Sequence, residues 1–74
     1  MKLYFKNSQG KRRLIAQPQT EEGAFEVIRA FCEERNFKIY YIRTWRTPEG
    51  LKEYDVGSHT EFFYLDDSKW IHNI

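Results

Sequence analysis

At 74 residues the chain has room for one domain, and a hydrophobic fraction of 41% with 18% aromatics excludes intrinsic disorder. No stretch approaches the roughly 20 apolar residues that cross a bilayer, and the start MKLYFKNSQG meets Asn7 and Ser8 before a signal-length apolar run develops. The lone cysteine, Cys32, excludes an intrachain disulfide, and the net charge of +1 conceals a dipole: residues 1–20 hold five bases and no acid, residues 21–74 seven bases against eleven acids.

Leu3-Tyr4-Phe5 and Leu14-Ile15-Ala16 flank NSQGK, where Asn, Ser and Gly supply turn chemistry, so a basic β-hairpin is predicted first. Thr20 then offers an N-cap hydroxyl, with Glu21 and Glu22 at the positive end of the dipole that follows. Ala24, Phe25, Ile28, Phe31, Cys32 and Arg35 recur at helical spacing, with Val27 beside them, which predicts a helix over 21–35. Cys32 on that stripe reads as a small core hydrophobe. Asn36 is suited to a left-handed stop, after which Phe37 can fold back onto the last turn.

FKIYYIRTWRTPEGLKEYDVG reads as two strands around Thr47-Pro48-Glu49-Gly50, a type I turn closed by a bulged glycine. That turn sets a register: Arg43 opposite Asp55, Thr44 opposite Tyr54, Trp45 opposite Glu53. A last strand spans Glu61 to Leu65, with Phe62 and Phe63 on opposite faces. Residues 67–74 form a tail whose Trp70, Ile71 and Ile74 are apolar enough to pack back onto the domain. The order is ββαβββ, and the simplest architecture is α+β, a single domain with one helix packed on an antiparallel β-sheet.

One helix covers one face of such a sheet. The other face is expected to carry Ile39, Tyr41, Arg43, Trp45 and Glu53, an apolar and aromatic set that reads as a surface for a protein partner or a second copy. The competing expectation is that Trp70 and Ile71 of the tail lie across it. A second function class comes from the basic hairpin: Lys6, Lys11, Arg12 and Arg13, beside Tyr4, Tyr40, Tyr41 and Trp45, supply the phosphate neutralisation and base stacking of a single-strand nucleic-acid platform. Against it stand the near-neutral charge and the acids of the central hairpin.

Enzymatic chemistry finds little support. Asp55, Ser58 and His59 contain the residue types of a hydrolytic triad, but neighbours in extended chain point to opposite sides and Asp55 is already opposite Arg43. Gly57-Ser58-His59-Thr60 reads as a polar connection with His59 at its rim. His59, His72, Asp66, Asp67 and Cys32 lack the paired spacing of a zinc or calcium site, and the four scattered glycines make no phosphate loop. No enzyme, metal or cofactor is expected.

The stretches MKLYFKNSQGKRR, FKIYYIRTW and above all DVGSHTEFF, within residues 1–66, resemble small uncharacterised proteins encoded by phages and prophages of Gram-positive bacteria. The resemblance implies an accessory role exerted by binding a host or defence protein in the host cytoplasm, and it attaches no catalytic motif to any residue.

Overall fold

The computed structural model describes residues 1–58 and 60–67. The chain forms strands β1 (Lys2–Lys6) and β2 (Arg12–Ala16), helix α1 (Glu21–Glu34), and strands β3 (Arg43–Arg46), β4 (Lys52–Asp55) and β5 (Phe62–Asp66). Among the described residues this is the expected α+β order, with one helix and five antiparallel strands in a single sheet.

Both hairpins are closed by the same local chemistry. In the first, the Gly10 N–H donates to the Asn7 carbonyl at 2.9 Å and the Asn7 N–H to the Lys11 carbonyl at 2.9 Å. In the second, Gly50 donates to Thr47 at 2.9 Å and Thr47 to Leu51 at 2.8 Å. Each opening residue adds a side-chain acceptor: Asn7 Oδ1 takes the Lys11 N–H at 3.0 Å and Thr47 Oγ1 the Leu51 N–H at 3.1 Å. Gly50 sits at φ 89°, left-handed backbone that a Cβ would disfavour. The turn delivers the register read from sequence, Arg43 opposite Asp55, Thr44 opposite Tyr54 and Trp45 opposite Glu53.

The helix begins and ends as its termini predict. Thr20 caps it, its Oγ1 accepting from the Gly23 N–H at 3.0 Å, and Glu21 and Glu22 occupy the first turn. At the other end Asn36 takes φ 60° and donates to the Glu33 carbonyl at 3.1 Å, while Phe37 donates to Cys32 at 2.8 Å. This paired closure satisfies carbonyls of the last turn and returns Phe37 to the core. Ala24, Ile28 and Cys32, four residues apart, are the fully buried stripe; Phe25 lies at its edge, 41% exposed.

Strand order is β2-β1-β5-β4-β3, so the last strand lies at the centre of the sheet and the helix carries the chain from one edge to the other. Leu3 pairs with Leu65, Phe5 with Phe63, and Phe63 with Tyr54, which places these five residues on the face beneath α1. Phe5, Phe31 and Phe63 stack there, with ring centroids 4.7 to 5.6 Å apart. Burial pushes the Cys32 thiol above its ordinary pKa, and the Glu61 charge adds to the shift, so it is a packing group rather than a nucleophile.

The third strand is shorter than expected. Residues 37–42 form no strand, and Phe37, Ile39 and Ile42 all pack against the core. Ile39 and Ile42 are three apart, a spacing that the period-2 pleat cannot turn to one side. Ile39 therefore does not belong to the face away from the helix.

Candidate functional site

The face turned away from the helix is built by the register. Leu14, Tyr4, Tyr64, Glu53 and Trp45 are successive cross-strand neighbours, one from each strand, and form a row across the whole sheet. Glu53 is its hinge: Oε1 accepts from the Trp45 indole N–H at 2.7 Å, and Oε2 from the Tyr64 hydroxyl at 2.7 Å. One carboxylate thus fixes an indole on the edge strand and a phenol on the central one. Tyr64 is buried although no helix covers it, because the Arg12 guanidinium lies 4.1 Å from its ring centroid. The Lys6 amine stands 5.0 Å from the Phe62 ring beside it. Burial raises the Tyr64 pKa above its ordinary value, and the bond to Glu53 raises it further.

At the β3 edge this face becomes an exposed ladder. The Arg43 guanidinium lies 5.0 Å from the Tyr41 ring and 6.0 Å from the Trp45 ring. It donates to Asp55 Oδ2 at 2.9 Å, and the second Asp55 oxygen accepts the Gly57 N–H at 2.9 Å. Asp55 is itself buried, so the guanidinium is held from below while 64% of the Arg43 side chain stays accessible. Tyr41 and Trp45 are 47% and 42% exposed. The edge thus presents a preset aromatic–cation–aromatic array whose pinning bonds all come from β4.

A different arrangement lies at the opposite corner. Phe5, Asn7, Lys11, Arg12, Arg13 and Arg35 line an open cleft of about 360 Å³ between the first hairpin turn and the end of α1. Arg13 is opposite Phe5 in the ladder, on the helix side of the sheet. Arg35, just past the last turn, lays its guanidinium 4.5 Å from the Phe31 ring and 5.4 Å from the Phe5 ring.

The polar connection before β5 is closed by a tight glycine and by its own hydrogen bonds. Gly57 has φ 97°, and a Cβ there would stand 3.3 Å from the Tyr40 side chain. The Ser58 hydroxyl donates to Glu61 Oε1 at 3.0 Å and accepts the Glu61 N–H at 3.2 Å, closing the loop. His59 lies outside the described residues, as do Trp70, Ile71 and Ile74 of the tail. Among the described residues no group of three metal-ligating side chains comes together, and no helix is long and apolar enough to cross a membrane.

The expected partner face is therefore redrawn. Tyr41, Arg43, Trp45 and Glu53 come together, and Ile39 leaves for the core. The expected basic cluster divides: Lys11 and Arg13 meet at the cleft with Arg35, Lys6 joins the sheet face, and Arg12 lines the cleft while its guanidinium lies over Tyr64 on that face. Two residues of consequence escaped the sequence reading. Tyr64 was signalled by its alternation with Phe63 in β5, and Arg35 by its place at the end of the helical stripe.

What these features define is a small α+β domain with a pinned aromatic–arginine edge and a separate cationic cleft. A comparison of the chain with protein-family models, curated proteins and solved structures finds no match to any of them.

Proposed function

We propose that the protein is a non-catalytic accessory protein of phage type that acts by binding another protein through its β3 edge. The observation that carries this reading is the exposed Tyr41–Arg43–Trp45 ladder, held by Asp55 and Glu53 before any partner arrives. Tyr, Trp and Arg are the residue types that dominate binding energy when they enter a desolvated pocket. Holding them in place beforehand removes part of the ordering cost of association. Asp55 occupies one terminal nitrogen of Arg43, leaving donors on the solvent side. The partner that fits has an apolar pocket for the indole, rimmed by carbonyl or carboxylate oxygens for the guanidinium. An origin in the host or in an anti-phage system, with inhibition as the outcome, follows from the resemblance to phage-encoded proteins.

The test is affinity capture from host lysate in the presence of nuclease, with wild type, Trp45→Ala and Arg43→Ala. A nuclease-resistant partner should be retained by wild type and lost, by at least about tenfold in affinity, from both variants, with the helical circular dichroism unchanged. Capture undiminished by either substitution removes this edge from the function. Sedimentation of the protein alone identifies the case in which the partner is a second copy.

A further inference from the structure

We propose that the cleft between the first hairpin turn and the end of α1 is a second binding site, for the phosphodiester backbone of a single nucleic-acid strand. Its lining contributes the cations of Lys11, Arg13 and Arg35, with Arg12 at its edge carrying its guanidinium over Tyr64, and no carboxylate. Four other clefts of the described residues each contain at least one acid. In a chain of net charge +1 with eleven acids, that exclusion is local, and composition alone does not produce it.

The cations are brought together by separate parts of the fold. Lys11, Arg12 and Arg13 follow the turn into β2, while Arg35 arrives from the helix end, stacked on Phe31 and Phe5. Among the described residues, Lys11, Arg13 and Arg35 form no salt bridge. Arg12 meets Glu49 at 3.6 Å, a well-exposed pair of little strength. The like charges repel one another, and a bound anion relieves that repulsion. The Asn7 side-chain oxygen is occupied by two backbone N–H groups, which directs its amide NH₂ to other acceptors.

The ligand is a strand rather than a lone phosphate because the cations continue past the cleft. Arg12 reaches onto the far face of the sheet over Tyr64, where Lys6 follows over Phe62. A ligand with one charged group leaves most of that track unused, whereas a backbone with a charge on every residue follows it from the helix end onto the sheet. The site stands apart from the β3 edge and shares no residue with the protein-binding ladder.

The experiment is fluorescence anisotropy with a labelled single strand of about ten thymidines, within the usual span of such sites. Four phosphate contacts give an affinity that falls with salt along a log–log slope of about −3. Arg13→Gln should weaken binding several-fold and Arg13→Gln with Arg35→Gln more than tenfold, halving the slope. Arg13→Lys with Arg35→Lys should keep the slope, and Trp45→Ala should bind the strand as wild type does. Arg35 stacks on core rings, so Arg13→Gln alone decides the matter if the Arg35 variant loses its circular dichroism. Binding indifferent to Arg13→Gln, flat across salt or equal for the matching duplex overturns the proposal. Pyrophosphate that displaces the probe as readily as unlabelled strand also overturns it.

Discussion

The two faces of the sheet are held by opposite physics. Beneath the helix, Leu3, Phe5, Phe63 and Leu65 are buried by apolar contact, and none of these four side chains needs a hydrogen bond. On the other face, Tyr64 is buried almost as completely beneath the cations Arg12 and Lys6 and beside the Glu53 carboxylate. The first arrangement is strong and, the Tyr54 phenol apart, indifferent to pH and salt. The second is directional, weaker per group and responsive to both. A small domain that stabilises one face by packing is free to place polar, preset side chains on the other, where they can meet partners.

Adjacent residues of β5 give the sharpest way to break that contrast. Phe63→Ala empties the centre of the covered face and should cost about 3–5 kcal/mol, enough to threaten folding, as a denaturant titration will show. Gly57→Ala forces a side chain into left-handed backbone against Tyr40 and should cost about 1–3 kcal/mol in the same titration. Tyr64→Phe removes one hydrogen bond from the far face and should cost about 0.5–1.5 kcal/mol.

That last variant also carries a pH signature. The Tyr64 phenol has its pKa raised in the fold, so its contribution is complete below the ordinary value of 10.0 and is lost as pH rises through the raised value. Tyr54 is shifted upward too, by burial first, so Tyr64→Phe should flatten only part of the alkaline limb of stability. The smallest expected effect lies at the acid end. The Arg46 guanidinium, 2.8 Å away, holds the Asp67 carboxyl below its ordinary 3.8. Stability from that pair is present above 3.8 and lost as pH falls through the lowered value. Asp67→Asn should be slightly less stable than wild type at neutral pH and equal to it in strong acid, measured by thermal midpoint against pH. A wild-type acid limb unchanged by the substitution assigns the loss to other carboxylates.

The parts of this molecule legible in sequence are those determined within a few residues. The Thr20 cap, the Asn36 stop and the TPEG turn act locally, and the turn's geometry carried the Arg43–Asp55 and Trp45–Glu53 pairs with it. Residues 37–42 misled because Ile39 and Tyr41 alternate as a strand would, while the Phe37 return and the odd spacing to Ile42 bend the backbone out of that pattern. Strand order was not readable, since β1 and β5 meet across some sixty residues by complementarity of whole faces. The cleft was half readable: its hairpin cations stand together in sequence, but Arg35 joins them through tertiary packing.

The central position of β5 has a consequence for biosynthesis. A ribosome releases the two hairpins and the helix before it releases residues 62–66, and until then β1 and β4 have no common neighbour. Each hairpin alone is marginal in water, so the nascent chain must carry its aromatic side chains unsheltered until the last strand slots between them. Assembly of the sheet therefore waits for residues 62–66, and a premature stop before Phe62 yields two hairpins with no common neighbour rather than a smaller working domain.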